Sequence, residues 1–198
     1  MSVILETLPL GQKGNAMSRS VLQFALTIAA SMLAAAPHPA TAASPQVDRG
    51  KYLVIVGGCT DCHTPGGLTG KPDATKYLGG SNVGFAIPGQ GVFVGRNLTP
   101  DKTTGLGNWT TQQIVEVLTT GVRPDGRILA TVMPWEALSH LTRSDALAIV
   151  AYLQSLPPVN NAVAGPFGPG EKPSVLVMSV LPGDVYAALP QPGAPPKP

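Results

Sequence analysis

The nonapeptide GGCTDCHTP, residues 57–65, holds both cysteines of a 198-residue chain and one of its three histidines. Cys59 and Cys62 stand three apart, and His63 follows the second directly. Three chemistries use such a cluster: a metal site, a redox-active thiol pair, or covalent attachment of a haem. A structural zinc site takes four ligands. One CxxC supplies two, and the other histidines, His38 and His140, lack the usual ligand spacing. A thioredoxin-type pair sits at a helix N-terminus within a βαβ pattern, whereas here an apolar segment precedes the cysteines and no parallel strands are expected to follow. A plain disulfide between the two thiols leaves His63 unexplained. Haem attachment accounts for all three residues: the thiols form thioethers with the two vinyl groups, and His63 lies beneath the iron as proximal ligand.

The opposite axial position separates an electron carrier from a catalyst. Met133 lies in ATVMPWEA, 70 residues beyond His63, followed by a proline that can stiffen a ligand loop. Met178 lies in a proline-bounded tail and reads as packing filler, and His140 as a residue just before the last helix. Ligation by His63 and Met133 would raise the iron potential and leave no open position for peroxide or oxygen, which favours outer-sphere electron transfer.

These residues need elements to position them. DRGKYLVIVGG (48–58) predicts a short helix leading into Cys59, with Asp48 as N-cap, Gly57-Gly58 as its end, and Tyr52, Leu53, Ile55 and Val56 as apolar positions. Residues 64–108 are rich in Gly, Pro and Asn. So long a connection is reasonable if it wraps a ligand rather than packing on itself, and VGFAIPGQGVFVG within it predicts a hairpin. A helix is expected over 109–121, with Thr110 and Gln113 as a capping box, Ile114, Val117 and Leu118 as its apolar stripe, and Gly121 at C′. After the turn RPDGR, a last helix starts from Thr142, carries Asp145 in its first turn and stops at Pro157-Pro158. Its apolar face is Leu147, Val150 and Leu153, or Ala146, Ile149, Leu153 and Leu156.

Aromatic residues make up only 5% of the chain, against 23 glycines and 21 prolines. A large flat prosthetic group at the centre would make up for that thin supply of bulky side chains. The net charge of +2, with no Lys/Arg cluster, argues against a nucleic-acid partner. At the N-terminus, Arg19, an apolar run over 21–36 and the small-residue site Ala40-Thr41-Ala42 read as an export signal. Three regions result: a leader over 1–42, with Met17 as an alternative start; a domain over 43–159 carrying one CxxCH and hence one haem c; and a proline-rich extension over 160–198. The extension reads as a surface arm, a partner contact or an unstructured tail. The leader implies a periplasmic or secreted protein.

With CxxCH and Met-Pro placed in this way, residues 46–159 resemble a class I cytochrome c domain. Gly50 and Tyr152 match the small and aromatic positions where that family's terminal helices touch. NLTPDKTTGLGNWT (97–110), GVRPDGR (121–127) and MPW (133–135) resemble the cytochrome c subunits of membrane-associated alcohol, gluconate and aldehyde dehydrogenases. Those subunits often carry three CxxCH domains, whereas this chain carries one. The resemblance implies an all-α fold of few short helices, with long loops around a haem. It places Trp109 and Asn97 near the haem propionates, lets Arg96 pair with one, and offers the carbonyl of Pro65 or Pro72 to the remaining N–H of His63. It implies an electron-transfer protein rather than an enzyme, with a dehydrogenase as donor, a cytochrome or terminal oxidase as acceptor, and peripheral membrane association through those partners. A peroxidase-like haem enzyme is the alternative if Met133 does not hold the iron.

Overall fold

In the computed structural model, residues 44–190 are described, so the predicted leader lies outside them. Helix α1 (Pro45–Val56) starts earlier than expected. Ser44, not Asp48, is its N-cap, its side chain accepting from the Val47 amide, and Pro45 occupies the first turn, where a missing N–H costs nothing. Asp48 instead sits in that first turn, favourable there beside the helix N-terminus. Of the expected apolar positions, Leu53 packs against the core, but the buried face centres on a residue outside that set. Val54 is fully buried beside Gly50, while Tyr52, Ile55 and Val56 are more than half exposed. A helix with apolar residues nearly all round does not reveal its core side; Gly50 does.

A Cβ on Gly50 would stand 1.9 Å from the Ala148 carbonyl oxygen and 2.8 Å from Cβ of Tyr152. Those two residues lie on α5 (Arg143–Ser155), so the two helices meet with no room for a side chain at the crossing. Helix α5 begins at Thr142, whose hydroxyl accepts from the Asp145 amide, and buries Ala146, Ile149, Val150, Tyr152 and Leu153. Between them lie α2 (Cys59–His63), α3 (Thr111–Thr120) and α4 (Trp135–Leu138). The Thr110–Gln113 capping box forms in both directions, and Gly121 takes the left-handed C-cap. Val115 is buried beside Ile114, with Val117 only half-buried.

The expectation of an all-α fold is overturned by a three-stranded sheet in the order β2-β1-β3. Strands β1 (Val83–Ile87) and β2 (Gly91–Val94) form the predicted hairpin, closed by a turn with Pro88 and then Gly89 at positive φ. The third strand, β3 (Leu176–Ser179), comes from the extension and pairs in parallel with β1, Val83 against Leu176 and Phe85 against Met178. Short helix α6 (Gly183–Ala188) follows. A partner 93 residues away leaves no local signature, and this is why an all-helical reading missed it. Among the described residues no helix is long and apolar enough to cross a membrane.

Two consequences can be measured. Gly50→Ala in the haem-loaded protein should cost on the order of 1–3 kcal/mol in denaturant unfolding, because backbone rather than a flexible side chain blocks the new methyl. Asp145, whose carboxyl is held below its ordinary range chiefly by the Arg49 guanidinium at 2.8 Å, ties α1 to α5. A depressed carboxylate stabilises above the unfolded value of about 3.9 and loses that contribution as pH falls further. Asp145→Asn should therefore flatten the acid limb of stability below about pH 4, read as denaturation midpoints against pH.

Candidate functional site

Helix α2 is only five residues long and has no side-chain cap, so it needs support from outside. Gly58, at φ 65°, turns the chain from α1 into it. Cys59 packs against the core formed by Val54, Leu78, Ile149, Tyr152 and Leu153. Two segments of the long connection clamp the other end. The Gly80 amide donates to the His63 carbonyl at 2.7 Å, and Thr64, fully buried, accepts from the Leu78 amide. At the exit of β2, Gly95 lies so close that a Cβ would stand 1.9 Å from the Cys62 carbonyl oxygen.

His63 is buried, and its Nδ1–H donates to the backbone carbonyl of Arg96 at 2.7 Å. A carbonyl can only accept, so the proton is on Nδ1 and the lone pair on Nε2. Among the described residues no buried side-chain nitrogen lacks a partner. The unbonded Nε2 therefore opens onto accessible space rather than into sealed core. The acceptor is Arg96 and not Pro65 or Pro72, and the Pro65 carbonyl is already taken by the Asp73 amide. Burial lowers the His63 pKa, which the Arg96 bond opposes less strongly. The neutral imidazole that a metal requires is thus the favoured form.

Both thiols are free. Burial pushes Cys59 and Cys62 up, and the Asp61 carboxylate adds to the effect at each. Redox-active pairs need the opposite, a thiol lowered by positive surroundings. Among the described residues no three His, Cys, Asp or Glu side chains gather around a point.

Met133 is half-buried in a loop pinned at both sides: its amide donates to Ala130, and the Trp135 amide donates to its carbonyl. The Trp135 ring lies against Gly121, where a Cβ would come within 2.6 Å of it. His140 is exposed just before α5, and Met178 is exposed on β3. Asn97 is buried with its amide fully engaged. It donates to Thr104 and to the Val159 carbonyl, and accepts from both the backbone and the hydroxyl of Thr99. A propionate would have to displace one of these partners. Trp109 is half-buried, with the Arg123 guanidinium 5.3 Å from its ring centre. It lines a cleft of about 290 Å³ with Leu98, Leu106, Ile114 and Leu153, which none of Cys59, Cys62 or His63 reaches. The Arg96 side chain turns away to the Val163 and Gly165 carbonyls. Gly95 and the Arg96 carbonyl were not anticipated; the lone glycine ending the VFVG strand was the available signal.

Residues 47–157 match the cytochrome c family, more than half of the sequence, and the chain belongs to that family. It is similar to the fructose dehydrogenase cytochrome subunit of Gluconobacter japonicus, 38% identical over 120 residues that span 60% of this chain and 23% of that protein. It is also similar to the cytochrome c subunit of quinone-dependent alcohol dehydrogenase from Gluconacetobacter polyoxogenes, 35% identical over 54% of this chain and 21% of that one. A diheme c-type cytochrome of Cereibacter sphaeroides is 28% identical over 59% and 38% respectively. The chain thus spans less than a quarter of the first two. A cytochrome c domain carries covalently bound haem c and transfers electrons. The residues present fit that group: two free thiols three apart, and a neutral histidine with one nitrogen held and the other open.

Gly95→Ala should force the Arg96 segment away from Cys62 and cost on the order of 1–3 kcal/mol in the haem-loaded protein. Gly183→Ala, at a position with open space, should stay within about 0.5 kcal/mol in the same denaturant experiment.

Proposed function

We propose that this chain is an exported c-type cytochrome that binds one haem through Cys59 and Cys62, and holds the iron between Nε2 of His63 and the sulfur of Met133. It passes single electrons from a dehydrogenase to a downstream cytochrome or oxidase, as an electron-transfer subunit and not as the catalytic one. The observation that carries this reading is the His63 arrangement: a buried neutral imidazole oriented by the Arg96 carbonyl, one residue after two unpaired thiols. The predicted leader supports export, because thioether attachment of haem takes place outside the bacterial cytoplasm. The dehydrogenase as donor rests on the named relatives, and the acceptor on the chemistry of an outer-sphere carrier.

When bound, haem supplies the ferric–ferrous couple, and the protein supplies burial, orientation and ligand strength. Cys59 and Cys62 would hold the haem on α2 through its vinyl groups. His63 is held in one tautomer and one ring orientation, so its basicity toward iron is set before binding. The pinned Met133-Pro134-Trp135 loop presents a soft sulfur from a restrained backbone. Met133 would keep water and peroxide from the iron, leaving one-electron exchange.

The test is the absorption spectrum of the exported protein, oxidised and reduced. Sharp low-spin reduced bands and the weak ferric sulfur-to-iron band are expected. Met133→Ala should abolish that weak band and lower the reduction potential, while Met178→Ala leaves both unchanged. A high-spin ferric spectrum in the wild type would move the assignment to a peroxidase-like enzyme. Absence of haem would overturn the attachment itself.

A further inference from the structure

Past α5, the chain bends back onto the segments that clamp His63. The Val159 carbonyl accepts from Asn97 at 2.7 Å. The Asn161 amide donates to Thr104 at 3.0 Å, and its side chain donates to the Gly79 carbonyl at 2.8 Å, next to the Gly80 amide that holds His63. Phe167 exchanges two backbone hydrogen bonds with Val92 on β2. Between these attachments, the two terminal nitrogens of Arg96 each take one carbonyl of the returning chain, Nη1 that of Val163 at 2.6 Å and Nη2 that of Gly165.

Arg96 therefore has two faces. Its backbone carbonyl receives the Nδ1–H of His63, and its side chain is fastened to residues 163 and 165. No ion pair reaches it among the described residues, and two other arginines, Arg123 and Arg127, are near enough to oppose its charge. A half-buried guanidinium without a carboxylate, beside like charges, is held there by geometry. The planar fork matches two carbonyls at once, which a lysine ammonium does not.

We propose that residues 159–167 are a positioning strap for His63. By fastening the Arg96 side chain, they set the place of the Arg96 carbonyl, and with it the strength of the Nδ1–H hydrogen bond and the reduction potential of the iron. The proposal rests on His63 being the proximal ligand. A strong acceptor on Nδ1 makes the imidazole a better donor to iron and favours the ferric state. Loosening the strap weakens that bond and raises the potential. Mere loss of positive charge near the iron does the reverse, since it also favours ferric iron. The sign of the shift thus separates positioning from electrostatics.

The experiment is an equilibrium redox measurement on the haem-loaded full chain, comparing wild type with Arg96→Lys, which keeps the charge and loses the fork. The ferrous-to-ferric ratio at a fixed poise should rise several-fold, with the low-spin spectrum retained. Asn161→Ala, which frees the Gly79 carbonyl, should shift it in the same direction by less, and decides the matter if the lysine variant does not load haem. An unchanged or lowered ratio in the deciding variant, even with a reduced melting temperature, overturns the strap. A wild-type chain without haem, or with haem not bound through His63, overturns the proposed function instead.

Discussion

A five-residue helix that carries both thiols and the histidine cannot hold its own shape, and most of the fold answers that constraint. One isolated turn fixes many dihedral angles for few hydrogen bonds. Cys59–His63 is therefore held by its surroundings. Cys59 packs on the core beneath α1 and α5, the Gly80 amide takes the His63 carbonyl, and the Gly95 backbone lies against Cys62. The Arg96 carbonyl then selects one tautomer of the imidazole. Without these outside contacts, the CxxCH order alone would leave the ring free to rotate.

The core that supports this turn is small and mostly aliphatic. Its two clusters centre on Val54, Leu78, Ile149, Tyr152 and Leu153, and on Ile114, Val115, Ala146 and Val150. Leu106, Leu118 and Leu141 flank both while remaining only partly buried. Burial is worth roughly 25 cal/mol per Å² of apolar surface, so these half-covered leucines contribute less than the fully buried Val54, Leu78 and Val150.

Much of this was legible because the signals are local. Thr110 with Gln113 and Thr142 with Asp145 each specify a cap within four residues, VGFAIPGQGVFVG specifies a hairpin, and each forms as expected. The family resemblance, through Gly50 and Tyr152, also located the helix crossing. What escaped reading depends on distant partners. Val54 rather than Ile55 faces the core because Gly50 selects the side, and β3 exists only because β1 offers an edge 93 residues earlier. The acceptor for His63 lies 33 residues downstream, on a backbone atom that any residue would carry. Residue type cannot announce a carbonyl.

The same reasoning changes the place of the proline-rich extension in the fold. The family match stops at residue 157, yet Asn97, Thr99 and Thr104 direct their side chains to Val159 and Asn161, just beyond it. Gly80 and Gly91 are glycines where the returning chain arrives: a Cβ at the first would meet Val163 at 2.2 Å, and at the second the Phe167 carbonyl at 2.1 Å. Both also have positive φ, so backbone conformation and close approach independently call for glycine. A loose appendage would not require Gly80 and Gly91 to stay bare. The segment that wraps His63 and the segment after the last helix are shaped to each other, so the folded unit that holds His63 runs past the family boundary.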